Sequence, residues 1–164
     1  MLPRHAFLVW LVAQQKLLTQ DRLQRFGMVQ VNVCYLCGVE EEDHEHIFFQ
    51  CQYSELCRSK ISQWCKVELP RQHCIAWWLH WRARSTCKKK VVAMILANFM
   101  AMIWWCRNRS RVDGLMMRPE MVVSLICNEV IVRVGQCRIS SRHRNTQLWL
   151  DEICNGRMVM VTTP

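Results

Sequence analysis

Apolar residues recur with a helical period along most of this chain, and one polar, cysteine-bearing stretch breaks the rhythm. Residues 3–15 predict an amphipathic helix with Pro3 in its first turn. Phe7, Trp10 and Leu11 stand at helical spacing there, and Leu8 and Val12 widen the apolar face. Thr19 is a candidate N-cap for a short helix, Gln20 to Phe26, ended by Gly27. Met28 to Val33 reads as extended or loop. Residues 53–66 put Tyr53, Leu56, Cys57, Ile61 and Trp64 on one side of a helix that Pro70 stops. A short helix is expected over 73–84, with Trp77, Trp78, Leu79 and Trp81. The longest helix is expected over 87–110, apolar around most of its circumference, basic at both ends, and broken by Val112-Asp113-Gly114. Pro119 opens a last helix, to about Arg138, with Val122, Val123, Ile126, Val130 and Val134 on its apolar side. Residues 139–164 read as mixed and irregular, with a strand signal confined to Met158 to Val161. The pattern predicts an all-α protein in three parts. A small helical domain fills residues 1–70, a basic and apolar helical, hairpin-like unit fills 71–138, and a poorly structured tail fills 139–164.

Composition narrows the class. At 164 residues the chain has room for one domain or one domain plus an appendage. Hydrophobic residues make up 51% and charged residues 21%, which is globular rather than disordered. With five Gly and four Pro, a turn-rich all-β protein is disfavoured.

The net charge of +9 is unevenly placed. Residues 1–80 carry eight basic and eight acidic side chains, whereas residues 81–164 carry fourteen and five, so the whole excess lies in the second half. A basic half points to a polyanion, RNA or DNA, and solvated helix faces are the plain alternative. Lys88, Lys89 and Lys90 open the longest helix, where the dipole disfavours cations, so an external anion is the better reason for them. Arg107, Arg109 and Arg111 lie near its C-terminus, where cations are favoured in any case. Trp77, Trp78 and Trp81 suit either base stacking or, as helical spacing more often means, a core.

The segment that breaks the pattern runs Cys34-Tyr35-Leu36-Cys37-Gly38-Val39-Glu40-Glu41-Glu42-Asp43-His44-Glu45-His46-Ile47-Phe48-Phe49-Gln50-Cys51. C-x2-C on a tight turn sets two thiolates on one side of a cation, and Gly38 suits that turn. His46 and Cys51 complete a tetrahedron of three Cys and one His, a closed set that describes a structural zinc ion. A partner five residues beyond His46 is off its face on an α-helix, so the helix is expected to unwind before Cys51. His44 competes as ligand. His46 is preferred because Ile47-Phe48-Phe49 provides the core contact that fixes its ring, and His44, inside the acidic run, is expected to face water. Five acidic side chains and no basic one occupy residues 34–51, so this loop should repel phosphates.

Eleven cysteines without a secretory signal place the protein in a reducing compartment, intracellular and either nuclear or cytoplasmic. Apart from the three proposed ligands they read as mainly buried. The apolar run from Val91 to Cys106, interrupted by Asn98, falls short of a membrane span.

These residues resemble the reverse transcriptase zinc-binding domain of plant non-LTR (LINE-type) retrotransposons. That family often opens with P-K/R-x-x-F-x-x-W-L, matched by Pro3-Arg4, Phe7 and Trp10-Leu11. Its L-x-T-x-D-x-L segment is matched by Leu17, Thr19, Asp21 and Leu23, and its C-x-x-C-G, acidic stretch and H-x-F-x-x-C by residues 34–51. The likeness covers about residues 3–66. Downstream, Ile103-Trp104-Trp105-Cys106-Arg107-Asn108-Arg109 resembles the I-W-x-x-R-N-R helix that often follows, with Cys106 in place of the usual acidic residue. The resemblance implies a module that helps a reverse transcriptase hold its RNA or target DNA. The alternatives are a structural zinc module docking on a polymerase domain, or a non-functional retroelement remnant.

Catalysis is not expected. A polymerase palm needs paired aspartates for two metals, and Asp21, Asp43, Asp113 and Asp151 are all isolated. No nucleophile arrangement or Gly-rich phosphate loop suggests a small-molecule substrate.

Overall fold

The computed structural model describes residues 3–71, 86–135 and 144–155, and every regular element within them is helical. The elements are α1 (Pro3–Ala13), α2 (Gln20–Arg25), a π turn (His46–Gln50), α3 (Gln52–Cys65), α4 (Cys87–Asp113), α5 (Pro119–Gly135) and α6 (Arg144–Asn155). The all-α expectation holds, and no strand occurs among the described residues. The Trp77, Trp78 and Trp81 helix, the Met158–Val161 strand signal and residues 136–138 lie outside them.

Helix ends follow local chemistry. The Thr86 hydroxyl accepts the Lys89 amide at 3.3 Å and caps α4. At the other end Gly114 takes a left-handed φ of +65° and its amide bonds Ser110 O. The helix thus runs through Val112 and Asp113, and the glycine alone breaks it. A five-residue link, 114–118, then turns the chain into α5, making a helical hairpin.

The hairpin forms the centre of the molecule. Val92, Ile95, Leu96, Phe99, Met100 and Ile103 of α4 are buried with Val122, Val123, Ile126 and Val130 of α5. Each such side chain contributes about 1.5–3 kcal/mol on burial. α1 packs on α4, α3 packs on α5, and one continuous apolar cluster reaches from Val12 to Ile153. By length and composition α4 could cross a membrane, but half of its most apolar window is buried, as in a core helix.

Three expectations change. In α1, Val12 is buried, whereas Phe7 and Trp10 are exposed and stacked on each other at 5.8 Å. Ala6 to Ala13 is apolar without interruption, so spacing alone could not choose the inward face. Leu56 of α3 is likewise exposed. The tail read as irregular contains α6, whose Trp149, Leu150 and Ile153 are buried. Two indoles hold it in place. Trp149 Nε1 donates to Cys65 O at 2.7 Å, and Trp64 Nε1 donates to Ile153 O at 3.0 Å. The partners lie more than eighty residues apart, beyond the reach of local pattern.

Candidate metal centre

Four ligand-bearing residues meet at the base of α3. The Sγ atoms of Cys34, Cys37 and Cys51 and a ring nitrogen of His46 all lie within 4.8 Å of one another. Cys34 and Cys51 are fully buried, His46 nearly so, and Cys37 is half-buried.

The first pair sits on a tight turn. Gly38 adopts φ +70°, its amide bonds Cys34 O at 2.8 Å, and the Cys34 amide bonds Glu40 O at 2.8 Å. The Leu36 amide points at Cys34 Sγ at 3.4 Å, an interaction that favours a thiolate.

The second pair is joined by the π turn. Asp43 Oδ1 accepts the His46 amide at 2.7 Å and starts it, and the Cys51 amide closes it on His46 O at 2.6 Å. An i to i+5 bond winds more widely than an α-helical turn, so it carries the chain from His46 to Cys51 in one turn. The unwinding expected before Cys51 is therefore a widening, followed by a break where Cys51 turns extended at ψ 128°. Ser54 Oγ donates to Ile47 O at 2.6 Å and satisfies a carbonyl in this turn. Ile47, Phe48 and Phe49 are buried, providing the expected anchor for the His46 segment.

The spacings suit zinc. A tetrahedron with Zn–S near 2.3 Å separates two sulfurs by about 3.8 Å and a sulfur from an imidazole nitrogen by about 3.6 Å. Cys34 and Cys51 Sγ are 3.9 Å apart, and Cys37 Sγ is 3.4 Å from His46 Nε2. Burial lowers the His46 pKa, which keeps the ring neutral and its lone pair available. The hydrogen bond shared by Cys34 and Cys51 pushes their thiols in opposite directions, Cys34 up and Cys51 down. The amides of Ser54 and Tyr53 at the start of α3 add to the lowering at Cys51.

His44 does not face water. It is 7% exposed, and its Nε2 accepts the Leu17 amide at 3.0 Å. Glu41 and Asp43 are exposed and Glu42 between them is buried, after which the chain winds helically through His44 and Glu45 into the π turn, with His44 and His46 both buried. Every residue from Glu40 to His46 is polar, so hydropathy carries no trace of that burial.

Glu42 was missed for the same reason. It is fully buried, and its carboxylate accepts the Gln20 amide at 2.9 Å and the Arg107 guanidinium at 2.6 and 3.0 Å. Arg107 is thereby removed from the set of surface cations, being 1% exposed. A lone acid inside a solvated-looking run gave no signal of its own.

The other basic residues divide into two places. Lys88 and Lys90 are exposed and Lys89 half-buried on the first turn of α4, with Lys88 Nζ 4.9 Å from the Trp149 ring centre. Arg111 is exposed at the far end, where Arg109 lies over Trp105 and pairs with Asp113 at 3.6 Å. About twenty helical residues separate the two groups, or about 30 Å. They do not form one compact patch.

The described part of the chain is thus an all-helical protein with a Cys3His cluster of structural-zinc geometry. Residues 1–57 match the family model described as zinc-binding in reverse transcriptase, which supports a reverse transcriptase zinc-binding domain at this end of the chain. No curated protein and no solved structure gives a significant match.

Proposed function

We propose that this chain is a non-catalytic zinc-binding module of reverse transcriptase origin, with Cys34, Cys37, His46 and Cys51 holding one structural zinc ion. The observation that carries the reading is the convergence of those four side chains inside the segment that matches the family. Bound zinc would supply a closed cross-link between the Cys34–Cys37 turn and the start of α3. The resemblance of the helix, cap and ligand motifs supports an origin in a plant LINE-type element. The free cysteines among the described residues accord with a reducing interior, nuclear or cytoplasmic.

The module's task in this reading is to help a polymerase hold RNA or DNA. Lys88, Lys89 and Lys90 at one end of α4, and Arg109 and Arg111 at the other, are the phosphate contacts. Elemental analysis should find about one zinc per chain. A gel-shift titration of zinc-loaded protein should show binding that weakens steeply between about 50 and 200 mM salt. Replacing Lys88, Lys89 and Lys90 by Ala should flatten the salt slope by up to about three. Absence of any shift at low salt would remove the nucleic-acid part of the proposal, and absence of zinc would remove its foundation.

One observation favours a second reading, docking on a polymerase domain. Leu8 of α1, Ala101, Met102, Trp104 and Trp105 of α4, and Leu125 of α5 line an open and mainly apolar groove. Copurification with such a domain, insensitive to salt and lost on Leu125→Asp, would favour this reading over the first.

A further inference from the structure

Arg107 belongs to the segment resembling I-W-x-x-R-N-R, for which the zinc reading alone has no use. Its surroundings supply one. The guanidinium lies 4.9 Å from the Trp104 ring centre and 5.6 Å from that of Tyr35, and it grips both carboxylate oxygens of Glu42. Tyr35 stands between the first two cysteines. Its amide makes a long contact with Glu42 Oε2 at 3.5 Å, and its carbonyl accepts Ser110 Oγ at 2.9 Å. The peptide groups on both sides of Tyr35 are therefore tied to α4, one directly and one through Glu42. The backbone supports the same strand of contacts, since the Glu42 amide donates to Asn32 Oδ1 at 2.9 Å and the Cys34 amide to Glu40 O.

A buried ion pair adds little net stability over an apolar pair of the same size, but it allows few alternative arrangements. Here both charges are desolvated, with side chains 1% and 0% exposed, and the pair spans 65 residues of sequence. The pair and Ser110 would be superfluous to a knuckle closed by metal alone.

We propose that Arg107 and Ser110 are positioning residues for the zinc site, acting through Glu42 and Tyr35 to set where the sulfurs of Cys34 and Cys37 stand. This rests on the zinc reading above and extends it. The site is then completed by a helix that begins thirty residues after the family match ends at residue 57. Groups that orient metal ligands typically change affinity by about 10- to 100-fold when removed.

The test uses the full chain. Zinc affinity is measured by competition with a chromophoric chelator, and ligand geometry by the visible spectrum of the cobalt(II)-loaded protein. Arg107→Lys keeps the charge and loses the bidentate fork, and Ser110→Ala removes one hydroxyl. Ile126→Val, in the hairpin core, is the comparator for a mild stability loss. Arg107→Lys should weaken zinc binding by about tenfold or more, and Ser110→Ala should weaken it in the same direction. Both should alter the cobalt bands at saturation, whereas Ile126→Val should leave the bands unchanged. The proposal is overturned if the two variants lose no more affinity than Ile126→Val, or if their saturated cobalt spectra overlay the wild type. Should Arg107→Lys fail to fold, Ser110→Ala decides by the same criteria. Wild-type protein that binds neither metal would sink the zinc reading itself, whereas normal wild-type binding with unaffected variants sinks only the positioning role.

Discussion

The loop-rich segment from Leu17 to Cys51 and the α4–α5 hairpin both bury apolar side chains, but they differ in how they treat buried polar groups. The loop encloses Thr19, Gln20, Glu42, His44 and His46, and several of its backbone amides are taken by side chains: Leu17 by His44, Gln20 by Glu42, Glu42 by Asn32, His46 by Asp43. The hairpin encloses mainly aliphatic and aromatic residues, with Asn98 and Arg107 of α4 as its buried polar side chains, and its helices make their backbone bonds internally. Hence the loop depends on particular donors and acceptors, each of which leaves a buried partner stranded when removed. The hairpin depends on volume and tolerates substitutions of similar size. The two share one apolar cluster, which Ile47, Phe48 and Phe49 enter from the loop, and their hydrogen-bonded contact runs through Arg107 and Ser110, where α4 offers polar groups to the loop.

Removing the metal should separate the two regions most sharply. Cys34→Ser should abolish stoichiometric zinc, and structural zinc contributes on the order of 10 kcal/mol to small sites of this kind. The expected outcome is loss of protection from hydrogen exchange in residues 31–51, with α4 and α5 retaining theirs. Acidification should do the same, because protons compete with the metal for thiolate and imidazole. Equal loss of protection in the hairpin would show that the regions are not distinct.

Breaking the link comes next. Glu42→Gln keeps the shape of the side chain but leaves the Arg107 charge buried without a counterion. A loss of about 3–5 kcal/mol in unfolding free energy is expected. A double change with Arg107→Met should recover part of it, because the stranded charge is gone. Additive losses in the denaturant titration would show that the pair does not act as a unit.

The contrast also explains what could be read from the chain before its structure was known. In the hairpin, Val122, Val123, Ile126, Val130 and Val134 announced their face by period alone, and all are buried. The metal loop was legible through chemistry instead, since cysteine and histidine at ligand spacing need no hydropathy signal. Glu42 and His44 had neither guide. Their burial follows from partners distant in sequence, Arg107 and the Gln20 amide for Glu42 and the Leu17 amide for His44, and polar neighbours on both sides hide it. α6 was hidden for another reason, because its hold on the molecule comes from two indole bonds to distant carbonyls. The face of α1 was lost to an excess of apolar residues rather than a lack of them.

His44 offers a smaller test within the loop. Its ring satisfies the Leu17 amide, so His44→Ala strands a buried donor and should cost about 1–3 kcal/mol. The zinc content should stay near that of the wild type, since His46 supplies the nitrogen in the cluster. Zinc lost on His44→Ala but kept on His46→Ala would reverse the choice of ligand.

The mildest change falls in the hairpin. Ile126 is completely buried, and Ile126→Val removes one methylene from a packed core. The expected loss is about 0.5–1.5 kcal/mol, set by the transfer term and the small cavity left behind. No buried donor or acceptor is orphaned, so the apolar neighbours can close part of the gap. Hydrogen exchange should therefore speed up across α4 and α5 together, with the loop's protection unchanged in zinc-loaded protein. If residues 31–51 open as readily as the helices, volume in the hairpin would also be setting the loop's geometry, and the division between the two regions would have to be drawn elsewhere.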